Sequence, residues 1–245
     1  MGKKDKCEET NSGEEPEIVK TQAEHGSAGP SRTHGSARAP MEEPEEQGEQ
    51  QNQKPESELP TSIEQIKLNE PIKGHLIGNK VAVTDDFQLA QPFFDRSSFG
   101  EIHGTKEQRI EYSLEEALYL MERGKLRIFD GKKTLDFKAF VRVANKIEKN
   151  FWTRYAVYRD IRTRGYITKT ALKFGADFRI YNRGVKPGQD HAKWVLFCTA
   201  EGDTYTWRQF AAMNRVAHST RKKLLVGIVD AESECTFYEV RWKKP

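Results

Sequence analysis

The sequence predicts an α/β (α+β) protein in three parts, and three observations carry that prediction. The first 60 residues hold 7 basic and 14 acidic residues, six of the ten prolines and no aromatic residue. Such a stretch cannot bury enough apolar surface to offset the entropy of ordering it. From Ile72 onward, period-two apolar runs alternate with helices that open on recognisable caps. Near the C-terminus, Leu224–Val229 is almost wholly apolar, as a strand covered on both faces would be. The division that follows is a disordered acidic tail over 1–65, a small N-terminal α+β domain of structural purpose over 70–148, and a C-terminal α/β layer domain over 149–245.

Taken in order, Ile72–Val83 reads as two short strands turned at Gly78-Asn79. Ser113-Leu-Glu-Glu116 is a capping box: the Ser113 oxygen accepts an orphan helix amide while Glu116 reaches back to the cap. The helix it opens carries Leu114, Ala117, Leu118 and Met121 on one stripe and stops at Gly124. Leu126–Phe129 is a strand, Asp130-Gly131 a turn and Phe137–Ile147 an amphipathic helix. Phe151–Arg164 is helical by Phe151, Tyr155, Tyr158 and Ile161, with Gly165 placed to end it.

Strands are expected at 166–173 and 177–182, then a sharply turning loop over 183–190 with Gly184, Pro187 and Gly188, then a strand over 193–198. Thr206-Trp-Arg-Gln209 is a second capping box, and its helix runs to about His218 with Phe210, Met213 and Ala217 inward. The apolar run 224–229 is expected as a central strand, Asp230–Glu234 as an acidic turn and 236–242 as the last strand.

The charge is uneven in a way that bears on partners. The whole chain has a net charge of +3, but residues 61–245 alone carry 33 basic against 23 acidic residues. A basic folded part suits a phosphate-rich partner through counterion release and steering, and equally suits a well-solvated surface. Cys7, Cys198 and Cys235 form no CxxC pair and are odd in number, which points to a reducing compartment with neither a disulfide framework nor a zinc site. No run of about 18 apolar residues occurs, so no membrane partner is expected.

Chemistry concentrates in 176–191 and 215–222, which set a phenol (Tyr181), an imidazole (His191) and an ammonium (Lys222) among strands and a helix end. Metal-free RNA cleavage needs such groups: a 2′-hydroxyl must lose a proton, a 5′-oxygen must gain one, and a phosphorane must be stabilised. On their residues alone these positions have plainer readings. Tyr181 is then a strand tyrosine of the core, His191 a loop histidine, and Arg221-Lys222-Lys223 a basic helix end that complements the helix dipole.

Three blocks, Tyr-Arg-Asp-Ile-Arg-Thr-Arg-Gly-Tyr-Ile (158–167), Phe-Gly-Ala-Asp-Phe-Arg-Ile-Tyr (174–181) and Arg-Val-Ala-His-Ser-Thr-Arg-Lys (215–222), resemble the archaeal tRNA-splicing endonuclease, or tRNA-intron endonuclease. The resemblance covers about residues 72–245. It implies a C-terminal nuclease domain of restriction-endonuclease-like mixed sheet. It also implies excision of introns from precursor tRNA by cutting both splice sites of a bulge-helix-bulge RNA, with no cofactor or metal, leaving 2′,3′-cyclic phosphate and 5′-hydroxyl ends.

In that family pattern Tyr181 is the general base on the 2′-hydroxyl, and a neighbouring cation such as Lys222 would favour its ionised form. His191 is the acid for the leaving 5′-oxygen, with His218 its competitor, and Lys222 steadies the phosphorane, with Lys223 its rival. Arg215 and Trp242 match a pair that sandwiches a flipped-out bulge base in another subunit's site. The acidic turn with Asp230, Glu232 and Glu234 resembles a loop that enters a neighbour's basic cleft and builds an assembly, here expected to be a homotetramer. Arg179 and Arg183 are candidate cleft residues.

Two other classes are weighed. A non-catalytic structural or RNA-binding subunit of a hetero-oligomeric splicing endonuclease would be expected to lack part of the triad. A metal-dependent nuclease needs clustered carboxylates with an acidic-x-Lys pair, and Asp230 and Glu232 have no lysine two positions on. The resemblance implies a cytoplasmic location in an archaeon and a nuclear one in a eukaryote.

Overall fold

The computed structural model describes residues 63–242. Of the tail expected to be disordered over 1–65, residues 1–62 lie outside them. Residues 63–65, expected to belong to the tail, instead form a short 3-10 turn, and both Ile63 and Ile66 are buried in the core.

Two mixed sheets organise the chain. The first contains β1 (Ile72–Ile77), β2 (Lys80–Val83), β3 (Glu101–His103), β4 (Arg109–Ser113), β5 (Leu126–Asp130) and β6 (Lys133–Leu135), in the order β3-β4-β2-β1-β5-β6. Its helices are α1 (Phe87–Ser97), α2 (Leu114–Glu122) and α3 (Phe137–Ile147). The second sheet contains β7 (Ile167–Thr170), β8 (Phe178–Tyr181), β9 (Trp194–Ala200), β10 (Lys223–Val229) and β11 (Cys235–Val240), in the order β11-β10-β9-β8-β7, with helices α4 (Phe151–Thr163) and α5 (Trp207–Ser219). Within the first sheet β1 and β5 are parallel, and within the second β9 and β10 are. No described helix is long and apolar enough to cross a membrane.

Local chemistry sets the element ends. Gly78 takes the left-handed backbone, φ 61°, that closes the β1–β2 hairpin. Both expected capping boxes form, with Ser113 opening α2 and Thr206 opening α5. Asp136 caps α3 by accepting from the Ala139 amide at 2.7 Å.

The two sheets share one core through α4, which packs on α2 and α3 and also on β7, β9 and β10. Phe151, Tyr155 and Tyr158 of α4 join Leu118 and Phe140 on one side and Phe178 on the other. Helix and sheet approach closely: a Cβ at Gly227 of β10 would stand 3.1 Å from a Val157 methyl.

Polar groups cross the same seam. Arg154 of α4 stands 2.8 Å from Glu115 of α2 and 3.3 Å from Asp177, and it also pairs with Glu148. Lys169 of β7 donates to Glu116 at 2.9 Å and to the Gly100 carbonyl at 2.7 Å. A pair this buried stabilises only when its hydrogen bonds are complete, because each charge has been taken out of water. Burial pushes the Glu115 carboxyl up to about 7, and the Arg154 guanidinium beside it only partly opposes that shift.

Three expectations change. The strand expected over 166–173 ends at Thr170. There the Ala171 amide donates to the Asp177 carbonyl, and a 3-10 turn, Leu172–Phe174, closes the hairpin through Gly175. The apolar run that forms β10 is second from the edge and β9 is central, so Leu225, Val226 and Ile228 are only half-buried. Phe210 is not a core residue of α5: it stands edge-on to the exposed Trp207, at 6.1 Å between ring centres. The elements α1, β3, β4 and β6 lie outside the stretches read above as strands or helices.

Candidate active site

Sheet register brings the three chemically interesting side chains to one end of the second sheet. Ile180 of β8 pairs with Trp194 of antiparallel β9, and Trp194 pairs with Lys223 of parallel β10. One step outward, the Lys193 amide donates to Ile180 and the Lys223 amide to Lys193, both at 2.9 Å. The end of β8 and the starts of β9 and β10 therefore lie side by side. Tyr181, His191 and Lys222 come from those three ends and line one cleft of about 400 Å³, together with Phe174, Arg179 and residues 188–192.

Each is held by a local device. Tyr181 closes β8, is buried, and has the Arg179 guanidinium 5.9 Å from its ring centre. The 183–190 loop turns through Gly184 and Gly188, whose φ angles of 77° and 94° are costly for other residues. It is tied to the first half of the protein, where Lys186 Nζ donates to the Asp95 carbonyl at 2.7 Å. That loop delivers His191 exposed at the cleft, its amide donating to Asp190 Oδ1 at 2.6 Å.

Lys222 is placed by the end of α5. The Lys222 amide donates to the Ala217 carbonyl at 2.9 Å and the Arg221 amide to the His218 carbonyl at 3.0 Å, with Arg221 left-handed at φ 54°. These two bonds are a Schellman ending with arginine where glycine is usual. The reversal turns Lys222 to the cleft, where its Nζ donates to the Thr220 carbonyl at 3.1 Å and lies 5.9 Å from the Phe174 ring centre. Lys223 enters β10 and pairs with Glu239 at 3.3 Å, so the rival ammonium is engaged elsewhere.

Arg215 and Trp242 are brought together at a second place, an apolar groove of about 610 Å³. Trp207, Phe210 and His218 line it as well, and the His218 ring lies 5.2 Å from the Trp242 ring. His218 thus belongs to this groove and is absent from the lining of the Tyr181 cleft.

The acidic turn is a tight hairpin in which Asp230 points into its own loop: Oδ1 accepts the Glu232 and Glu234 amides at 3.0 and 2.8 Å. Glu232 and Glu234 are exposed. Trp152 Nε1 pins the turn to α4 through Ser233 at 3.0 Å. Of the two cleft arginines considered, Arg179 lines the cleft, whereas Arg183 lies over the Tyr166 ring at 4.9 Å and does not.

Sequence reading missed Phe174 and Trp207. Phe174 lies between the expected strands 166–173 and 177–182, at the end of the 3-10 turn, and Trp207 lies inside a capping box that explains its neighbours but not its own 85% exposure. Among the described residues no group of three or more His, Cys, Asp or Glu side chains is gathered so as to hold a metal ion.

Comparison with known proteins gives a consistent result. Residues 151–237 match the family model of the tRNA intron endonuclease catalytic C-terminal domain, and 72–141 match that of its N-terminal domain. The chain is 36% identical over 177 residues to a tRNA-splicing endonuclease of Thermococcus onnurineus, covering 72% of this chain and 99% of that protein. It is 39% identical over 178 residues to the tRNA-splicing endonuclease of Nanoarchaeum equitans, covering 70% and 99% of the two. With that of Methanothermobacter thermautotrophicus it is 37% identical over 174 residues, covering 71% and 99%.

Proposed function

This chain belongs to the tRNA intron endonuclease family, and from that premise we propose that it excises introns from precursor tRNA by metal-independent transesterification at both splice sites of a bulge-helix-bulge RNA. The observation that carries the reading is the convergence of Tyr181, His191 and Lys222 on one cleft from three different strand ends.

In the proposed step the Tyr181 phenolate takes the proton of the 2′-hydroxyl, and that oxygen attacks the adjacent phosphorus. The five-coordinate phosphorane gains negative charge on its non-bridging oxygens, beside which Lys222 holds a fixed positive charge. The bond to the 5′-oxygen breaks, and His191 gives that oxygen a proton. One product ends in a 2′,3′-cyclic phosphate and the other in a 5′-hydroxyl. His191 suits its part because it is exposed and its ring makes no hydrogen bond within the described residues.

We propose further that four copies assemble. Asp230 is consumed in shaping its own turn, so the charges offered to a neighbour's basic cleft are those of Glu232 and Glu234. The groove of Arg215 and Trp242 then receives the bulge base, by stacking and cation–π attraction.

The test is incubation of the full chain with an intron-containing precursor tRNA in EDTA, followed by analysis of the ends. Cyclic phosphate and 5′-hydroxyl ends are expected, with no cleavage when the scissile ribose is 2′-deoxy. A 5′-phosphate product, or a strict need for magnesium, would return the metal-dependent reading to first place.

A further inference from the structure

We propose that Arg179 is a second cation of the cleft, one that binds a non-bridging oxygen of the scissile phosphodiester while Lys222 faces the phosphorane from the other strand end. The proposal rests on the reading of the cleft given above and adds to it a specific phosphate contact.

The first ground is position. Arg179 and Tyr181 are two residues apart on β8 and so project to one face of the sheet, and both line the cleft with His191 and Lys222. The guanidinium lies 5.9 Å from the Tyr181 ring centre, beside the phenol.

The second ground is an unfilled donor. Arg179 Nε is shielded from solvent and donates to no acceptor among the described residues. Leaving a buried polar donor unpaired is costly, the more so for a charged group.

Arginines held by internal carboxylates give the contrast. Arg154 has three carboxylates, Arg164 is paired with Asp160 at 2.9 Å, and Arg241 with Glu239 at 2.9 Å. Arg179 has no carboxylate within ion-pair distance among the described residues, although Asp190 lines the same cleft, where its Oδ1 takes the His191 amide. A cation that lacks an internal anion, beside the groups that would act on a phosphate, is matched by an anion from outside. The planar guanidinium suits a phosphodiester, to which it can present parallel N–H groups; Lys222 is a point charge and cannot orient it so.

Two measurements on the full chain test this. In the first, an uncleavable RNA with 2′-deoxyribose at the scissile position is titrated at several salt concentrations. Arg179→Ala should reduce the slope of log affinity against log salt by roughly 0.7–0.9, the loss of one phosphate contact. In the second, single-turnover cleavage is followed on RNA with a phosphorothioate at the scissile phosphate, as separate Rp and Sp forms. Wild type should cleave one form more slowly than the other. Arg179→Ala should cleave the all-oxygen RNA about 10²-fold more slowly and lose most of that difference, and Arg179→Lys should regain part of the rate.

If Arg179→Ala keeps both the salt slope and the Rp/Sp difference, the proposal is wrong and the function stands. A changed slope with an unchanged Rp/Sp difference assigns Arg179 to a neighbouring phosphate and also overturns it. Should wild type cut no RNA while the slope still falls in Arg179→Ala, the phosphate contact survives and the splicing reading fails. Arg179→Lys, which keeps the charge and most of the bulk, guards against loss of folding.

Discussion

Helices α2 and α5 open with the same device and end in opposite circumstances. Each begins at a hydroxyl that caps the third amide and a side chain that reaches back, Ser113 with Glu116 and Thr206 with Gln209. Yet α2 is buried from Leu114 to Leu120 without a break, including both glutamates, whereas Ala217 is the single buried residue of α5. A capping box reports where a helix starts and nothing about what covers it. Covered over that run, α2 packs on α3 and α4 and on the strands of the first sheet. The open face of α5 presents Trp207, Phe210, Arg215 and His218 to a groove, and its end aims Lys222 at the cleft.

The contrast predicts that changes on the open side cost function and changes on the covered side cost stability. His191→Ala should lose roughly 10² to 10⁴ in cleavage rate with an unchanged melting curve, and the loss should shrink when the leaving oxygen is replaced by sulfur, which departs without a proton. A variant that loses rate and stability together would make His191 part of the scaffold.

On the covered side, Leu118→Ala should lower unfolding free energy by about 2–5 kcal/mol, while Trp207→Ala should stay within about 0.5 kcal/mol of wild type. Urea titrations decide it, and equal costs at the two positions would abolish the distinction.

Glu115 sharpens the comparison through pH. Its folded value of about 7 lies above the ordinary 4.5. The stability contributed by the neutral carboxyl is therefore fully present below about 4.5 and is lost as pH rises through about 7. Glu115→Gln cannot ionise, so its stability should fall less between pH 5 and pH 8, roughly that window. Parallel wild-type and variant curves would show that the seam does not titrate.

The smallest effects concern the caps themselves. Ser113→Ala and Thr206→Ala should each cost about 1 kcal/mol, but the first should lower global unfolding and the second should mainly speed amide exchange within α5. Matching effects on global stability would mean that α5 is as coupled to the core as α2.

Assembly tests the open side separately: charge reversal at Glu232 and Glu234 should reduce the mass seen by light scattering to that of a smaller species. Keeping the wild-type mass would remove the turn from the proposed interface.

The strands and helices that sequence could place are those with strong local causes. Helix α3 was legible to the residue from its apolar period, and the β1–β2 hairpin from Gly78. Strands β3 and β6 are three residues each, too short to show a period, and become strands only through pairing with β4 and β5. Within the candidate site, Tyr181 and Lys222 lie in blocks that resemble known ones and His191 in the stretch between them, so the sequence singles all three out. It does not single out Phe174 and Trp207, because no local pattern distinguishes an aromatic that lines a cleft from one that fills a core.

By itself the sequence determined the starts of the capped helices, the turns that need glycine, and the basic balance of the folded part. These depend on hydrogen bonds, backbone angles and charges within a few residues of one another. Only the tertiary structure decided that β9 and not β10 is central, that Lys222 and Lys223 part company at Arg221, and that Arg179 reaches the cleft while Arg183 does not. Those outcomes follow from strand pairing and burial between segments separated by tens of residues, and no short stretch of chain holds both partners of such a contact.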